Sequence, residues 1–204
     1  MRNNDMIAAG LGILGVAVFG AWFMMDQTAN AQTALAEDGP GPNLVIDVAG
    51  GTEGQIVIDL LSEVAPKHVE RIVTLANEGA YDNVAFHRVI DGFMAQTGDV
   101  ENAKMDGDLD LAGTGGSVYD DLKAEFSAET FNRGAVGMAR SQSPDSANSQ
   151  FFIMFAPAPH LDGQYSVVGH VIAGMDVVDA IKLGTGQGGS VSDPDYMSTV
   201  TVVE

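Results

Sequence analysis

Short runs of β-type residues recur along the chain after residue 43, and one of them alternates strictly between hydrophobic and polar positions. Residues 55–60, Gln-Ile-Val-Ile-Asp-Leu, alternate at period two, and a β-type run at 44–48 precedes them across a Gly-rich turn. Together the two runs predict a β-hairpin. Six more short strands are predicted at 84–88, 93–97, 135–140, 151–155, 167–171 and 198–203.

Helical periodicity is confined to two segments. Pro66 suits the first turn of a helix that extends to about Glu78, and Gly79 suits its end. The apolar positions that would share one face of this helix are Val69, Ile72, Val73 and Ala76. A second short helix is predicted over 175–182. Eight short strands and two helices in about 160 residues predict a mostly β fold, a closed barrel with helical caps.

The stretch 99–129 follows neither pattern. It is rich in glycine and carries nine acidic residues against Lys104 and Lys123, which predicts a long surface excursion. Residues 106–110, Asp-Gly-Asp-Leu-Asp, begin like a calcium loop. Leu111 and Ser117 then occupy the positions where such a loop needs Gly and Glu. The segment is therefore interpreted as a solvated acidic loop.

The N-terminal segment predicts export. Residues 6–25 carry no charge, and Ala29 and Ala31 form the small-x-small pattern of a signal-peptidase site. Residues 1–31 are then either a cleaved signal peptide or a membrane anchor that spans the bilayer through 6–25. Twenty apolar residues can cross about 30 Å of hydrocarbon. A buried core helix is disfavoured, because the run has no polar face. Both export interpretations put the rest of the chain outside the cytoplasm.

Composition and charge limit the remaining possibilities. Residues 32–42 end in Asp-Gly-Pro-Gly-Pro and have the composition of a linker, so one folded domain is predicted over 43–204. The chain has 28 acidic and 9 basic residues, a net charge of −19, which argues against nucleic-acid binding and against docking on anionic lipid. The absence of cysteine excludes disulfides and thiolate chemistry. The four histidines form no metal-binding motif, so no metal site is predicted.

Two segments combine a single arginine with aromatic residues, methionine and an amide. The first is 86–99, FHRVIDGFMAQTGD, and the second runs from Gly137-Met-Ala-Arg-Ser to Ser-Gln-Phe-Phe-Ile at 149–153. By spacing alone, core packing beside a surface arginine explains them as well as a binding site does.

Over 43–203 the sequence resembles the cyclophilin-type peptidyl-prolyl cis-trans isomerases, of the compact bacterial kind. FHRVIDGFMAQTGD, MARSQSPDSANSQFFI and HLDGQYSVVGHVIAGMDVVDAI resemble three blocks of that family, in the same order. The resemblance implies an eight-stranded antiparallel barrel capped by two α-helices, a monomer, and no cofactor. For an exported bacterial chain it implies a periplasmic protein, either soluble or tethered to the inner membrane.

The resemblance also implies a set of site residues. Arg88 would be the catalytic arginine, with His87 beside it. Gln96 and Gln150 would hold the substrate backbone or orient Arg88. Ala139 and Arg140 would lie along the peptide groove. The proline pocket would be lined by Phe93, Met94, Phe152 and Leu161, with His160 and Tyr165 at positions where many members carry tryptophan and histidine. The histidine at 160 puts sensitivity to cyclosporin in doubt more than activity.

The activity that this resemblance implies is isomerisation of X–Pro peptide bonds in folding proteins. Rotation about a peptide bond is opposed by a barrier of about 18–20 kcal/mol, because resonance gives the C–N bond partial double-bond character. Arg88 could donate a hydrogen bond to the twisted amide nitrogen and stays charged at physiological pH. Two alternatives remain open. One is a proline-peptide-binding module or chaperone without catalysis, and the other is a lipocalin-like carrier of an apolar molecule.

Overall fold

The computed structural model describes residues 36–186 and 188–204. The predicted export segment 1–31 and the first part of the predicted linker lie outside these residues, so both stay predictions. Among the residues described, no helix is long and apolar enough to cross a membrane.

Nine strands of the described chain form one sheet in the order β3-β9-β1-β2-β8-β6-β7-β5-β4. Every neighbouring pair in this order is antiparallel. The mostly β, antiparallel character predicted from the sequence is confirmed. The strands are β1 Asn43–Ala49, β2 Gly54–Leu60, β3 Val84–Ala85, β4 Arg88–Ile90, β5 Met94–Thr97, β6 Ala135–Met138, β7 Phe151–Met154, β8 Val167–Ala173 and β9 Tyr196–Val203.

The sheet has nine strands instead of the predicted eight because the predicted strand at 84–88 is divided. Its first part, β3, pairs with β9, and its last part, β4, pairs with β5. Between them the backbone bonds to a later loop: Phe86 N–H donates to the Asp195 carbonyl, and the His87 carbonyl accepts from Val191 N–H. The strand order begins at β3 and ends at β4. The predicted closure into a barrel is therefore not confirmed by the strand pairing.

Both predicted helices are present. Helix α1 spans Pro66–Asn77 and helix α2 spans Met175–Ala180. The buried face of α1 includes Val69, Ile72 and Ala76, as the periodicity predicted, whereas Val73 is only partly buried. No acidic residue lies in the first turn of α1. Instead the Glu125 carboxylate accepts hydrogen bonds from the backbone N–H groups of Lys67 and His68, so the irregular stretch caps the helix.

Buried apolar side chains lie on both faces of the strands β4–β7 and form two clusters. The larger cluster takes one face, with Val89, Ala95 and Ile153 directly opposite one another across β4, β5 and β7. The smaller cluster takes the other face and contains Met94, Phe152 and Met154. Because side chains alternate along a strand, each of these strands contributes to both clusters. The apolar residues of the predicted site belong to the smaller cluster or pack against it: Phe93, Met94, Ala139, Phe152, Leu161 and Tyr165.

Candidate functional site

One cross-strand row carries the central residues of the site. Arg88 on β4 lies opposite Gln96 on β5, Gln96 lies opposite Phe152 on β7, and Phe152 lies opposite Gly137 on β6. Residues directly opposite one another in antiparallel strands have Cβ atoms about 4.5–5.5 Å apart. The register therefore brings together residues that are up to 64 positions apart in the sequence.

A cavity of about 190 Å³ opens over this row. Its floor belongs to the smaller apolar cluster, in which Met94, Phe152 and Leu161 are buried. Its polar groups come from Arg88, Gln96 and Arg140. The full lining is Arg88, Phe93, Met94, Gln96, Ala139, Arg140, Phe152, Leu161 and Tyr165. An apolar cavity of this kind with a few convergent polar groups can hold a small ring and orient a polar bond beside it.

Neutral groups hold the Arg88 guanidinium. Its Nε–H donates to the Gly188 carbonyl at 3.0 Å, and Nη1 donates to Gln96 Oε1 at 3.1 Å. The sulfur of Met94 lies 3.8 Å from Nη1. Among the residues described, Arg88 takes part in no ion pair. In a chain of net charge −19, this arginine is thus fixed in place without a carboxylate to neutralise it.

The two glutamines continue this arrangement away from Arg88. Gln96 Nε2 donates to Gln150 Oε1 at 2.9 Å, and Gln150 Nε2 donates to the Gly115 carbonyl at 2.8 Å. The structure therefore places Gln96 and Gln150 where they can orient Arg88.

A larger, open cavity of about 700 Å³ adjoins the first. Gln96, Ala139 and Arg140 line both cavities, and Gln150 lines the larger one. The Arg140 guanidinium lies 4.3 Å from the centroid of the Tyr165 ring and donates to the Gln164 carbonyl at 3.1 Å. The two cavities therefore meet at Gln96, Ala139 and Arg140.

The two histidines of the predicted site lie outside the cavity lining. His160 is exposed, and its ring stacks on Phe93 at a centroid distance of 5.9 Å, so it covers the outer side of a pocket residue. His87 is buried behind Arg88, where a Cβ on Gly113 would lie 3.1 Å from its ring. Burial lowers the pKa of His87, although the Asp99 carboxylate opposes this shift. The linings of the two cavities thus include every predicted site residue except these two histidines.

Sequence reasoning missed Phe131. This buried ring stacks on Phe152 at 5.6 Å and meets Tyr165 edge-on at 6.4 Å, so it supports the pocket from behind. Gly137 makes room for it: a Cβ at Gly137 would lie 2.5 Å from Phe131 and 2.7 Å from Phe152. Phe131 lies in irregular chain, where neither strand nor helix periodicity predicts burial.

Comparison with known proteins supplies independent information. A sequence profile described as cyclophilin type peptidyl-prolyl cis-trans isomerase/CLD matches residues 45–202. A probable peptidyl-prolyl cis-trans isomerase of Brucella suis is 52% identical over 189 residues, which cover 91% of this chain and 94% of that protein. A peptidyl-prolyl cis-trans isomerase of Schizosaccharomyces pombe is 41% identical over 134 residues, covering 64% of this chain and 80% of that protein.

A solved structure is similar as well. It is the cyclophilin type peptidyl-prolyl cis-trans isomerase of Cryptosporidium parvum, crystallised in the presence of the dipeptide Ala-Pro. It superposes with a TM-score of 0.67 at 25% identity and covers 79% of this chain and 99% of that chain.

Proposed function

This chain belongs to the cyclophilin-type peptidyl-prolyl cis-trans isomerases, and from that premise we propose that it accelerates rotation about X–Pro peptide bonds with Arg88 as the catalytic donor. Its substrates are proline-containing segments of unfolded or folding proteins. The single observation that carries this proposal is the Arg88 guanidinium, held by neutral partners at the edge of an apolar cavity.

The size of the required rate gain sets what the site must supply. An uncatalysed X–Pro bond isomerises in tens to hundreds of seconds. A turnover of about 10³ s⁻¹ would need a gain of about 10⁵, or roughly 7 kcal/mol of selective stabilisation of the transition state. No bond is made or broken, so neither a nucleophile nor a metal is needed for this step.

Stabilisation of the twisted amide is the physical task. When the peptide bond rotates, its nitrogen loses resonance and becomes a better hydrogen-bond acceptor. The planar guanidinium of Arg88 already uses Nε and Nη1 on Gly188 and Gln96, and no described residue accepts from Nη2. We assign Nη2 the donation to that nitrogen. A donor anchored in advance costs little reorganisation, and in a site that excludes water its charge acts more strongly.

The apolar floor holds the other partner of the reaction. Phe93, Met94, Phe152 and Leu161 would grip the proline ring, so that rotation moves the acyl side of the bond past Arg88. A floor of this type binds ground and transition states alike, and it lowers KM more than it raises kcat. The Ala-Pro dipeptide present with the Cryptosporidium parvum structure supports a proline-containing ligand for this fold.

The test is exchange between cis and trans isomers of an X–Pro peptide, measured by NMR with the full chain. Arg88→Ala removes the donor and its charge, so kcat should fall by about 100-fold, equivalent to about 3 kcal/mol for a charge-assisted hydrogen bond. Phe152→Ala should lower kcat and also raise KM, because it removes part of the surface that binds the proline ring.

Arg133→Ala is the matched control, because Arg133 pairs with Asp179 at 2.6 Å and lines neither cavity. It should leave exchange unchanged. Peptide binding without acceleration by the unaltered chain would contradict catalysis and favour the binding-module alternative. Full kcat in Arg88→Ala would contradict the role of Arg88.

A further inference from the structure

We propose that Asp99 is a positioning residue for Arg88 and acts through the Gly115 carbonyl and the two glutamines. The inference rests on the proposed function. Asp99 touches neither cavity, and sequence reasoning assigned it no role. It lies at the start of the irregular stretch, directly after Gly98 and close behind β5.

The Asp99 side chain is fully buried and its two oxygens accept four backbone hydrogen bonds. Oδ1 accepts from Glu101 N–H at 3.2 Å and from Asn102 N–H at 2.8 Å. Oδ2 accepts from Gly113 N–H at 2.7 Å and from Gly115 N–H at 2.9 Å. One carboxylate thus ties together two parts of the loop, and ten residues of sequence lie between the nearest of them, Asn102 and Gly113. Buried polar groups are tolerated when they are hydrogen-bonded in this way, and breaking the set is costly.

The fixed loop places one acceptor, the Gly115 carbonyl, against Gln150. From there three hydrogen bonds lead to Arg88: Gln150 Nε2 to the carbonyl, Gln96 Nε2 to Gln150 Oε1, and Arg88 Nη1 to Gln96 Oε1. Their lengths are 2.8, 2.9 and 3.1 Å.

The direction of this chain of amides matters for Arg88. Each glutamine has one oxygen that accepts and one NH₂ group that donates. Because the first group is a carbonyl, Gln150 must turn its NH₂ towards it and its oxygen towards Gln96. Gln96 must then turn its NH₂ towards Gln150 and its oxygen towards the guanidinium. If the Gly115 carbonyl moved away, both amides could flip, and an NH₂ group would face the guanidinium in place of an acceptor.

The loop fits tightly against Asp99, so this placement has little freedom. A Cβ at Gly115 would overlap Asp99 Oδ1 and press on Asn102 Nδ2. A residue with a Cβ therefore does not fit at position 115 without a shift of the loop, and the close contact restricts where the Gly115 carbonyl can lie. The same loop also lines the larger cavity, but its three hydrogen bonds through Gln150 and Gln96 lead to Arg88 at the smaller one.

The variant Asp99→Asn tests the proposal in the full chain. The amide keeps the size of the carboxylate but turns one acceptor into a donor that faces backbone N–H groups. We expect kcat to fall by about five- to tenfold, the worth of roughly one net hydrogen bond, while KM changes by less than about twofold. Asp59→Asn is the matched control, because Asp59 is also a buried carboxylate but contacts the linker at Gly39. It should leave kcat unchanged.

A double variant separates positioning from general support of the fold. If Asp99 acts through the glutamines, Asp99→Asn added to Gln150→Ala should cause no further loss of kcat, since the chain is already broken. Losses that multiply would overturn the proposal, as would full kcat in Asp99→Asn. If Asp99→Asn does not fold, Gly115→Ala pushes the Gly115 carbonyl away from its place while Asp99 keeps its negative charge. The NMR signal of the Arg88 Nε–H should then shift, and an unchanged signal would overturn the proposal.

The proposed function itself is judged separately in this experiment. Exchange catalysed by the unaltered chain and lost in Arg88→Ala supports it whatever Asp99→Asn does. A chain that catalyses no exchange would overturn the proposed function before the role of Asp99 could be measured.

Discussion

Arg88→Lys separates the charge of this residue from its planar geometry. Arginine uses two nitrogens as anchors, Nε on the Gly188 carbonyl and Nη1 on Gln96 Oε1, and keeps N–H groups for the substrate. A lysine ammonium has all its donors on one nitrogen. It can reach an anchor or the substrate nitrogen, but it cannot hold both anchors in the same plane while it donates to a third group.

The expected loss of kcat follows from the number of donor nitrogens that lysine lacks. Lysine keeps the positive charge, so the loss is that of one charge-assisted hydrogen bond in the transition state, at the lower end about 1.5 kcal/mol. This corresponds to roughly tenfold in kcat. Arg88→Lys should therefore lie between the unaltered chain and Arg88→Ala. KM should change little, because the apolar floor that grips the proline is untouched.

The assay is again isomer exchange by NMR, over a range of peptide concentrations that separates kcat from KM. Arg133→Lys is the matched control, since it makes the same chemical change at a residue that lines neither cavity. A kcat for Arg88→Lys equal to that of the unaltered chain would refute the reasoning, because charge alone would then suffice. A kcat equal to that of Arg88→Ala would refute it in the other direction, since charge would then contribute nothing.

Two further predictions concern the frame of the site. Gly137→Ala would place a Cβ 2.5 Å from Phe131, so we expect the free energy of unfolding to fall by about 1–3 kcal/mol and KM to rise. Gly51→Ala is the control: a Cβ there would have its nearest neighbouring atom at 3.5 Å, so neither quantity should change. Glu125 is partly buried, which opposes ionisation, but hydrogen bonds from the side chain and backbone of His68 hold its pKa below the ordinary 4.5. A lowered pKa stabilises the fold above the ordinary value and loses that effect as pH falls through the folded value. Glu125→Gln should thus cost about 1–2 kcal/mol at pH 7, and denaturant titrations should show the difference shrinking as the pH falls below the ordinary pKa of 4.5. Glu70→Gln at an exposed pair should have little effect, and a Glu125→Gln difference that is independent of pH would contradict the assignment.

The strands could be predicted because their pattern is local. The alternating run at 55–60 and the continuous apolar run at 151–155 are both visible in the sequence, and each became a strand within two residues of the predicted limits. The division of the 84–88 run could not be predicted. It arises because the Asp195 carbonyl and Val191 N–H, more than a hundred residues later, bond to the backbone between β3 and β4.

The residues of the site likewise differ in whether the sequence could predict them. The row from Arg88 to Phe152 lies on strands whose sequence blocks stand out, so its members could be named from the sequence. Phe131 and Asp99 could not be assigned a place, because each acts through a contact that depends on the folded loop. For Phe131 that contact is with Phe152, and for Asp99 it is with the backbone of Gly113 and Gly115.

The position of β9 has a consequence for the order in which the protein can be completed. Among the residues described, β9 is the last strand in the sequence, yet it lies between β1, the first of them, and β3. Until its eight residues are available, β1 and β3 both present unpaired strand edges. The sheet therefore cannot assemble progressively from the N-terminus during synthesis. A chain that ends before Tyr196 would keep two unpaired strand edges, on β1 and on β3, which the full chain covers with β9.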